Sequence, residues 1–217
     1  MTPGFQLVVI AKTPRPGRVK TRLCPPYTPT QAAELAAAAL RDTLAAVLAT
    51  PAARRVLALD GERLDWLPPG FDVVPQRGGG LDERLAAAFD DAAAGAALPT
   101  LLIGMDTPQV SPALLEAAGV ALTASPGAAV LGPASDGGWW ALGLPRPDPR
   151  LLLGVPMSTA HTGAAQRRRL AAAGLAVIDL PVLTDVDTAA TAREVAAAAP
   201  GTAFARALAA ADSARAA

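Results

Sequence analysis

Leu7–Leu23 reads LVVIAKTPRPGRVKTRL. Its first four residues, Leu7-Val8-Val9-Ile10, are apolar and mostly β-branched, as expected of a short buried strand. Pro14, Pro16 and Gly17 then break both the sheet ladder and any helix. Five cations stand in and just after that break: Lys12, Arg15, Arg18, Lys20 and Arg22. The next acids along the chain are Glu34 and Asp42. A strand that empties into a stiff basic loop suits a polyphosphate, because Arg gives bidentate hydrogen bonds to phosphate oxygens and Lys adds a mobile point charge. A basic run can also be a solvated face. Its position tips the reading toward ligand, since the first strand of an α/β sheet delivers contacts from its carboxyl end.

Outward from that stretch, strands and helices alternate. Helices are expected over about Thr30–Ala49 (Thr30 as N-cap), Leu81–Ala94 (Leu81, Leu85 and Phe89 on one stripe) and Ser111–Thr123, where Ser111 caps and Pro112 opens the helix. A further helix is expected over Thr162–Gly174, with Arg167, Arg168 and Arg169 on its solvated side. Strands are expected at Arg55–Leu59, Asp72–Pro75, Thr100–Gly104, Ala128–Gly132, Trp139–Leu144 and Ala176–Leu180. Pro145–Pro156 reads as a loop, and a helical tail from Ala189 to Ala211 breaks near Pro200-Gly201. Such alternation implies a mostly parallel sheet between helical layers. At 217 residues the expectation is one domain, with a core over 5–188 and a tail over 189–217.

Composition narrows the function. Nineteen basic residues balance nineteen acidic ones, so no overall field draws the chain to nucleic acid or to a membrane surface. Although 52% of residues are hydrophobic, no apolar run is long enough to span a bilayer, and Pro3, Gly4 and Gln6 interrupt any leader-like start. A cytoplasmic protein is expected. Cys24 and His161 are each single, which excludes a disulfide framework and Cys-rich or multi-His metal sites. Both are expected to be non-catalytic. A metal here would be a hard, oxygen-bound cation, magnesium or manganese.

The loop acids supply candidates for it. Asp106, Asp136, Asp185 and Asp187 all fall at or near strand ends, where separate loops of an open sheet can converge. A loop or N-cap role is the commoner fate of any one of them. Together with the basic loop they suggest a site. Gly78-Gly79-Gly80, before a helix, can offer backbone N–H groups to a phosphate or a base. Gly137 and Gly138 would admit a sugar ring, with Trp139 or Trp140 as a stacking surface or as core.

Four segments together carry a resemblance: AKTPRPGRVKTRL (11–23), GMDTP (104–108), LGPASDGGWWALGL (131–144) and LTDVDT (183–188). In this order and spacing they resemble the bacterial DUF2064 family of glycosyltransferase-like proteins, also called radical-SAM/selenodomain-associated transferase 1. That family is related to the 2-phospholactate guanylyltransferases within the nucleotide-diphospho-sugar transferase superfamily. The resemblance implies a single-domain GT-A, Rossmann-like α/β/α sandwich that binds a nucleotide and a divalent cation. It places Lys12, Arg18, Lys20 and Arg22 at the nucleotide phosphates and Gln76, Gly79 and Gly80 near the base. Asp106, with Asp185 or Asp187, would hold Mg2+ or Mn2+. Asp136, Gly137, Gly138 and Trp139 would face the sugar or acceptor. Asp106, Asp136 and Lys20 stand as the catalytic candidates. The chain departs from the family's usual pattern at Asp82, Trp139 and Thr191.

The resulting expectation is a metal-dependent transferase acting on a nucleotide or nucleotide sugar and an unidentified acceptor, as monomer or homodimer. Glycosyl transfer is the first reading, and nucleotidyl transfer with release of pyrophosphate is the alternative. A nucleotide-binding module without turnover is a further possibility, and so is a partner subunit docking through Arg167–Arg169.

Overall fold

The computed structural model describes residues 4–216. Seven strands form one sheet: β1 (Gln6–Lys12), β2 (Arg54–Asp60), β3 (Asp72–Pro75), β4 (Thr100–Ile103), β5 (Ala128–Pro133), β6 (Trp139–Leu144) and β7 (Ala176–Asp179). They lie in the order β3-β2-β1-β4-β6-β5-β7. Every pairing is parallel except those of β6, which runs antiparallel to both β4 and β5. The helices are α1 (Pro29–Ala49), α2 (Leu81–Gly95), α3 (Pro112–Ala124), α4 (Thr162–Ala172), α5 (Ala189–Ala198) and α6 (Ala203–Ala216).

β1 shows why the sheet carries helices on both sides. Successive side chains of a strand point to opposite faces. Leu7 and Val9 accordingly join Leu40, Leu44 and Leu115 of α1 and α3. Val8, between them, joins Leu85 and Phe89 of α2 and Leu170 of α4. A strand apolar at every position therefore needs two helical layers, and the result is an α/β/α sandwich with a mostly parallel sheet. No helix among the described residues is long and apolar enough to cross a membrane.

Several local expectations shift. α1 is capped by Thr28, not Thr30, because Gln31 completes a reciprocal capping box with Thr28 and Pro29 fills the first helical position. The Pro-rich loop after β6 contains a 3-10 turn at Pro149–Leu151. Leu81 leaves the apolar stripe of α2 and is 43% exposed, since it lies at the open end of the helix. The solvated arginines of α4 are only partly so: Arg167 pairs with Asp179, and Arg169 donates to the carbonyls of Arg150 and Leu153. The tail folds back rather than trailing away. Asp42 of α1 accepts from the N–H groups of Ala203 and Phe204 at 2.9 and 2.8 Å, satisfying the start of α6. Phe204 and Leu208 then pack with Leu35 in a third apolar cluster.

Candidate active site

Loops at the carboxyl edge of the sheet enclose a cleft of about 810 Å3. Two distant parts of the chain meet in it. Lys20 adopts a left-handed backbone (φ 48°), uncommon outside glycine, which turns its side chain inward. That side chain is only 7% exposed, and its Nζ lies 2.8 Å from Asp106 Oδ1 and 3.3 Å from Asp187 Oδ1. Arg22 reaches Asp187 Oδ2 at 3.3 Å but stays 73% exposed.

Apolar packing brings these groups together. Leu23 and Tyr27, just past the basic loop, are buried in one cluster with Val186, Phe204 and Leu208. Val186 is 1% exposed and points into that cluster, so its extended neighbours Asp185 and Asp187 face the cleft. The Val186 N–H donates to the Asp106 carbonyl at 2.9 Å, and Gln109 Nε2 donates to the Thr184 carbonyl at 2.7 Å. The segment after β7 is thereby laced to the turn after β4. The C-terminal helices thus form part of the support beneath the acids.

Charge crowding marks the site. Burial works against the Lys20 ammonium, yet Asp106 and then Asp187 outweigh it and leave its pKa raised above the ordinary lysine value. Asp185 is pushed up to about 7, first by burial and then by the negative charge of Asp106, against which Lys20 offers only partial relief. Asp136 and Asp187 add to the rise.

Of the remaining candidates, Lys12, Arg18, Gln76, Gly79, Asp136, Gly138 and Trp139 line the cleft, whereas Gly80 and Gly137 do not. Gln76 spends its amide N–H groups on the carbonyls of Ala11 and Ala58, tying its loop to β1 and β2. The glycine loop is less bare than expected, because Glu83 accepts from the Gly79 N–H at 2.7 Å. An acid in the first turn of α2 is drawn to the helix N-terminus and fills that place itself. Asp82 turns away and accepts from the Gly154 N–H at 2.9 Å. Gly137 has φ 88°, and a Cβ there would collide with the Ala160 carbonyl. Its role is to let the segment before α4 pack against the β5–β6 turn.

That segment is one that sequence reasoning missed. Ser158 and Thr159 line the cleft, as do Thr107 and, from α2, Arg84. Arg84 is braced at 2.7 Å by Asp60. Its spacing from Leu81 and Leu85 on one helical face was the available signal for Arg84. The hydroxyl-rich run Ser158-Thr159 had none before the fold brought it opposite Gly138.

The oxygen-only donor set suits a hard divalent cation, and the raised pKa of Asp185 reports carboxylate charge that such an ion would relieve. Asp106, Asp185 and Asp187 are the residues that would hold it. Among the described residues no three potential ligands already surround one point, and the Lys20 ammonium bridges Asp106 and Asp187. To hold a cation together with Asp185, at least one of these two carboxylates would have to turn partly from Lys20.

Residues 34–159 match the family described as uncharacterized proteins conserved in bacteria (DUF2064), over more than half of the chain. The chain belongs to this family. Among solved structures, this DUF2064 protein is similar to a candidate nucleotide-diphospho-sugar transferase from Desulfovibrio desulfuricans G20. The two are 28% identical over 85% of this chain and 82% of that one, with a TM-score of 0.77. It also shares its fold with a nucleotidyl transferase from Methanothermobacter thermautotrophicus (16% identity, 88% and 95% covered, TM-score 0.56). A third similar structure is Rv0371c from Mycobacterium tuberculosis H37Rv (22% identity, 90% and 98% covered, TM-score 0.53). No curated protein matches the chain. The DUF2064 match includes Asp106 and Asp136 but neither the basic loop nor Asp185 and Asp187.

Proposed function

We propose that this protein is a cytoplasmic, metal-dependent transferase, folded as one domain, that binds a nucleotide-diphospho-sugar and transfers the glycosyl group to an acceptor. One observation carries the reading. Cations from the loop after β1 and carboxylates from the turns after β4 and β7 meet at one edge of the sheet, with Lys20 touching Asp106 and Asp187. The likeness to the Desulfovibrio protein, a candidate nucleotide-diphospho-sugar transferase, supports it.

In this reading Lys12, Arg18 and Arg22 grip the phosphates, and Gln76 with Gly79 forms the floor under the base. Lys20 neutralises charge as the diphosphate leaves. Asp136, Gly138 and Trp139 face the sugar and acceptor, and Gly137 shapes the turn that carries them. Mg2+ or Mn2+ at Asp106, Asp185 and Asp187 would supply Lewis-acid stabilisation of the diphosphate. The number of cations after β1 favours a second reading, nucleotidyl transfer from a triphosphate.

Thermal-shift titration with nucleoside diphosphates, triphosphates and nucleotide sugars in Mn2+ tests the reading. A manganese-dependent rise is expected, and Asp106→Ala should abolish it while the ligand-free protein stays folded. An undiminished rise in that variant would remove Asp106 from the metal shell. Pyrophosphate release from triphosphate plus sugar 1-phosphate would favour the second reading. Nucleoside diphosphate release from a nucleotide sugar would favour the first.

A further inference from the structure

The cleft is electrically divided along the sheet edge. Lys12 enters from the end of β1, Arg18 and Arg22 from the loop after it, and Arg84 from α2. From β4 onward, between residues 104 and 187, the lining carries Asp106, Asp136, Asp185 and Asp187 and no Lys or Arg. Lys20 reaches across from the basic side, but its ammonium is already engaged by Asp106 and Asp187. Arg22 reaches across as well and is engaged by Asp187, so two cations, both already engaged, meet the four carboxylates. One divalent cation would bring that balance no further than neutral, with no positive charge to spare. The basic half can therefore serve one anionic ligand, and the acidic half has no positive charge in reserve for a second.

What the acidic half does offer is hydroxyl and aromatic surface. Ser158 is held with a left-handed backbone (φ 58°), and Ser158 and Thr159 line the wall beside Trp139. Thr107 also lines the cleft, fully buried, and its Oγ1 has no partner. A neutral polyol can exchange hydrogen bonds with such groups and lay its C–H face on an aromatic ring. A phosphate or carboxylate brought there meets like charge, which low-dielectric surroundings strengthen.

We infer that the acceptor is an uncharged hydroxyl compound, a polyol or a sugar, and that phosphorylated or carboxylated acceptors are rejected. This rests on the nucleotide-sugar reading above and adds to it the class of the second substrate. In the transfer, a lone pair of the acceptor oxygen forms the new bond to the anomeric carbon. The bond from that carbon to the diphosphate oxygen breaks, and its electron pair leaves with the nucleoside diphosphate. The acceptor proton passes to the Asp136 oxygen that is not held by the Gly138 N–H.

The test uses the full chain in Mn2+. Fluorescent N-methylanthraniloyl derivatives of GDP, UDP and ADP report nucleotide binding, and glucose 1-phosphate and 3-phosphoglycerate are titrated against the complex. Each anion is expected only to displace the nucleotide, as competitors for one anionic locus. Nucleoside diphosphate release from UDP-glucose, GDP-mannose and ADP-glucose is then compared between glycerol and glycerol 3-phosphate, and between methyl glucoside and glucose 6-phosphate. The neutral member of each pair should be at least tenfold more effective. A nucleotide complex that admits glucose 1-phosphate alongside, or an anionic member that performs as well as its neutral counterpart, overturns this inference alone. Failure of all three nucleotides to bind overturns the nucleotide-sugar reading with it.

Discussion

The loop after β1 has two halves that carry two cations each and meet opposite fates. Its first half, residues 13–18, runs over the surface and sends only Arg18 to the cleft. There Arg15 pairs with Glu62 at 2.5 Å while both side chains are half exposed or more, and the Thr13 hydroxyl donates to the Glu62 carbonyl. Its second half, residues 19–23, is drawn in by Val19 and Leu23, which are 8% and 0% exposed. Lys20 between them is held by two carboxylates. Two cations five residues apart thus do different work, and the apolar residues beside them, not the charges, decide which goes inside.

Substitutions rank along that contrast. Lys20→Met should have the largest effect, removing the one ammonium that offsets Asp106 and Asp187. Loss of one partner of a buried pair costs about 3–5 kcal/mol, and because both acids remain partly exposed a loss of roughly 3 kcal/mol is expected in urea denaturation. A change under about 1 kcal/mol would mean that Lys20 is as dispensable as a surface lysine.

Asp185 should produce the next effect, as a pH dependence. Its carboxyl holds a proton up to a pH of about 7 in the fold, against an ordinary aspartate value of 3.8 in the unfolded chain. The folded state therefore binds more protons between these limits, so the stability this group contributes is full below about 3.8 and drains away as pH rises to about 7. For a part-buried group the loss should be on the order of 2 kcal/mol, read from cation-free unfolding at pH 5 and pH 8. Asp185→Asn should flatten it. Manganese affinity should run the other way, tightening up to tenfold per pH unit until about 7 and then levelling off, because a ligand carboxyl must lose its proton.

Arg22→Ala comes third. Its ion pair with Asp187 is too exposed to matter for folding, but nucleotide affinity should fall by about 1.5 kcal/mol, the low end of a charge-assisted hydrogen bond. An equal loss for a nucleoside without phosphates would assign Arg22 to something other than phosphate. Arg15→Ala should do least, changing stability by no more than about 0.5 kcal/mol and nucleotide affinity not at all. A loss of binding there would erase the distinction between the two halves of the loop.

The β1 run, the Ser111 cap and the strand leading to Asp106 could be read in advance because each depends on neighbours within a few residues. Thr28 and Thr30 offer the same capping chemistry two residues apart, and only the reciprocal bonds with Gln31 choose Thr28. Glu83 on the Gly79 N–H, and Asp82 on the Gly154 N–H, were not legible, since many acids near a helix start compete for such positions. Ser158 and Thr159 enter the cleft only because Gly137 lacks a Cβ where Ala160 approaches.

By itself the sequence determined a sandwich of helices around a mostly parallel sheet, the strand ends at which chemistry would sit, and the restriction of any metal to oxygen donors. These follow from periodicity and residue type, which act locally. Only the tertiary structure decided which cation is buried, which carboxylates crowd it and how the cleft divides into basic and acidic halves. Those depend on Val186, Leu23 and Tyr27 sharing one apolar cluster across more than 160 positions of chain. Burial and Coulomb energy vary with distance in space, and separation along the chain does not encode that distance.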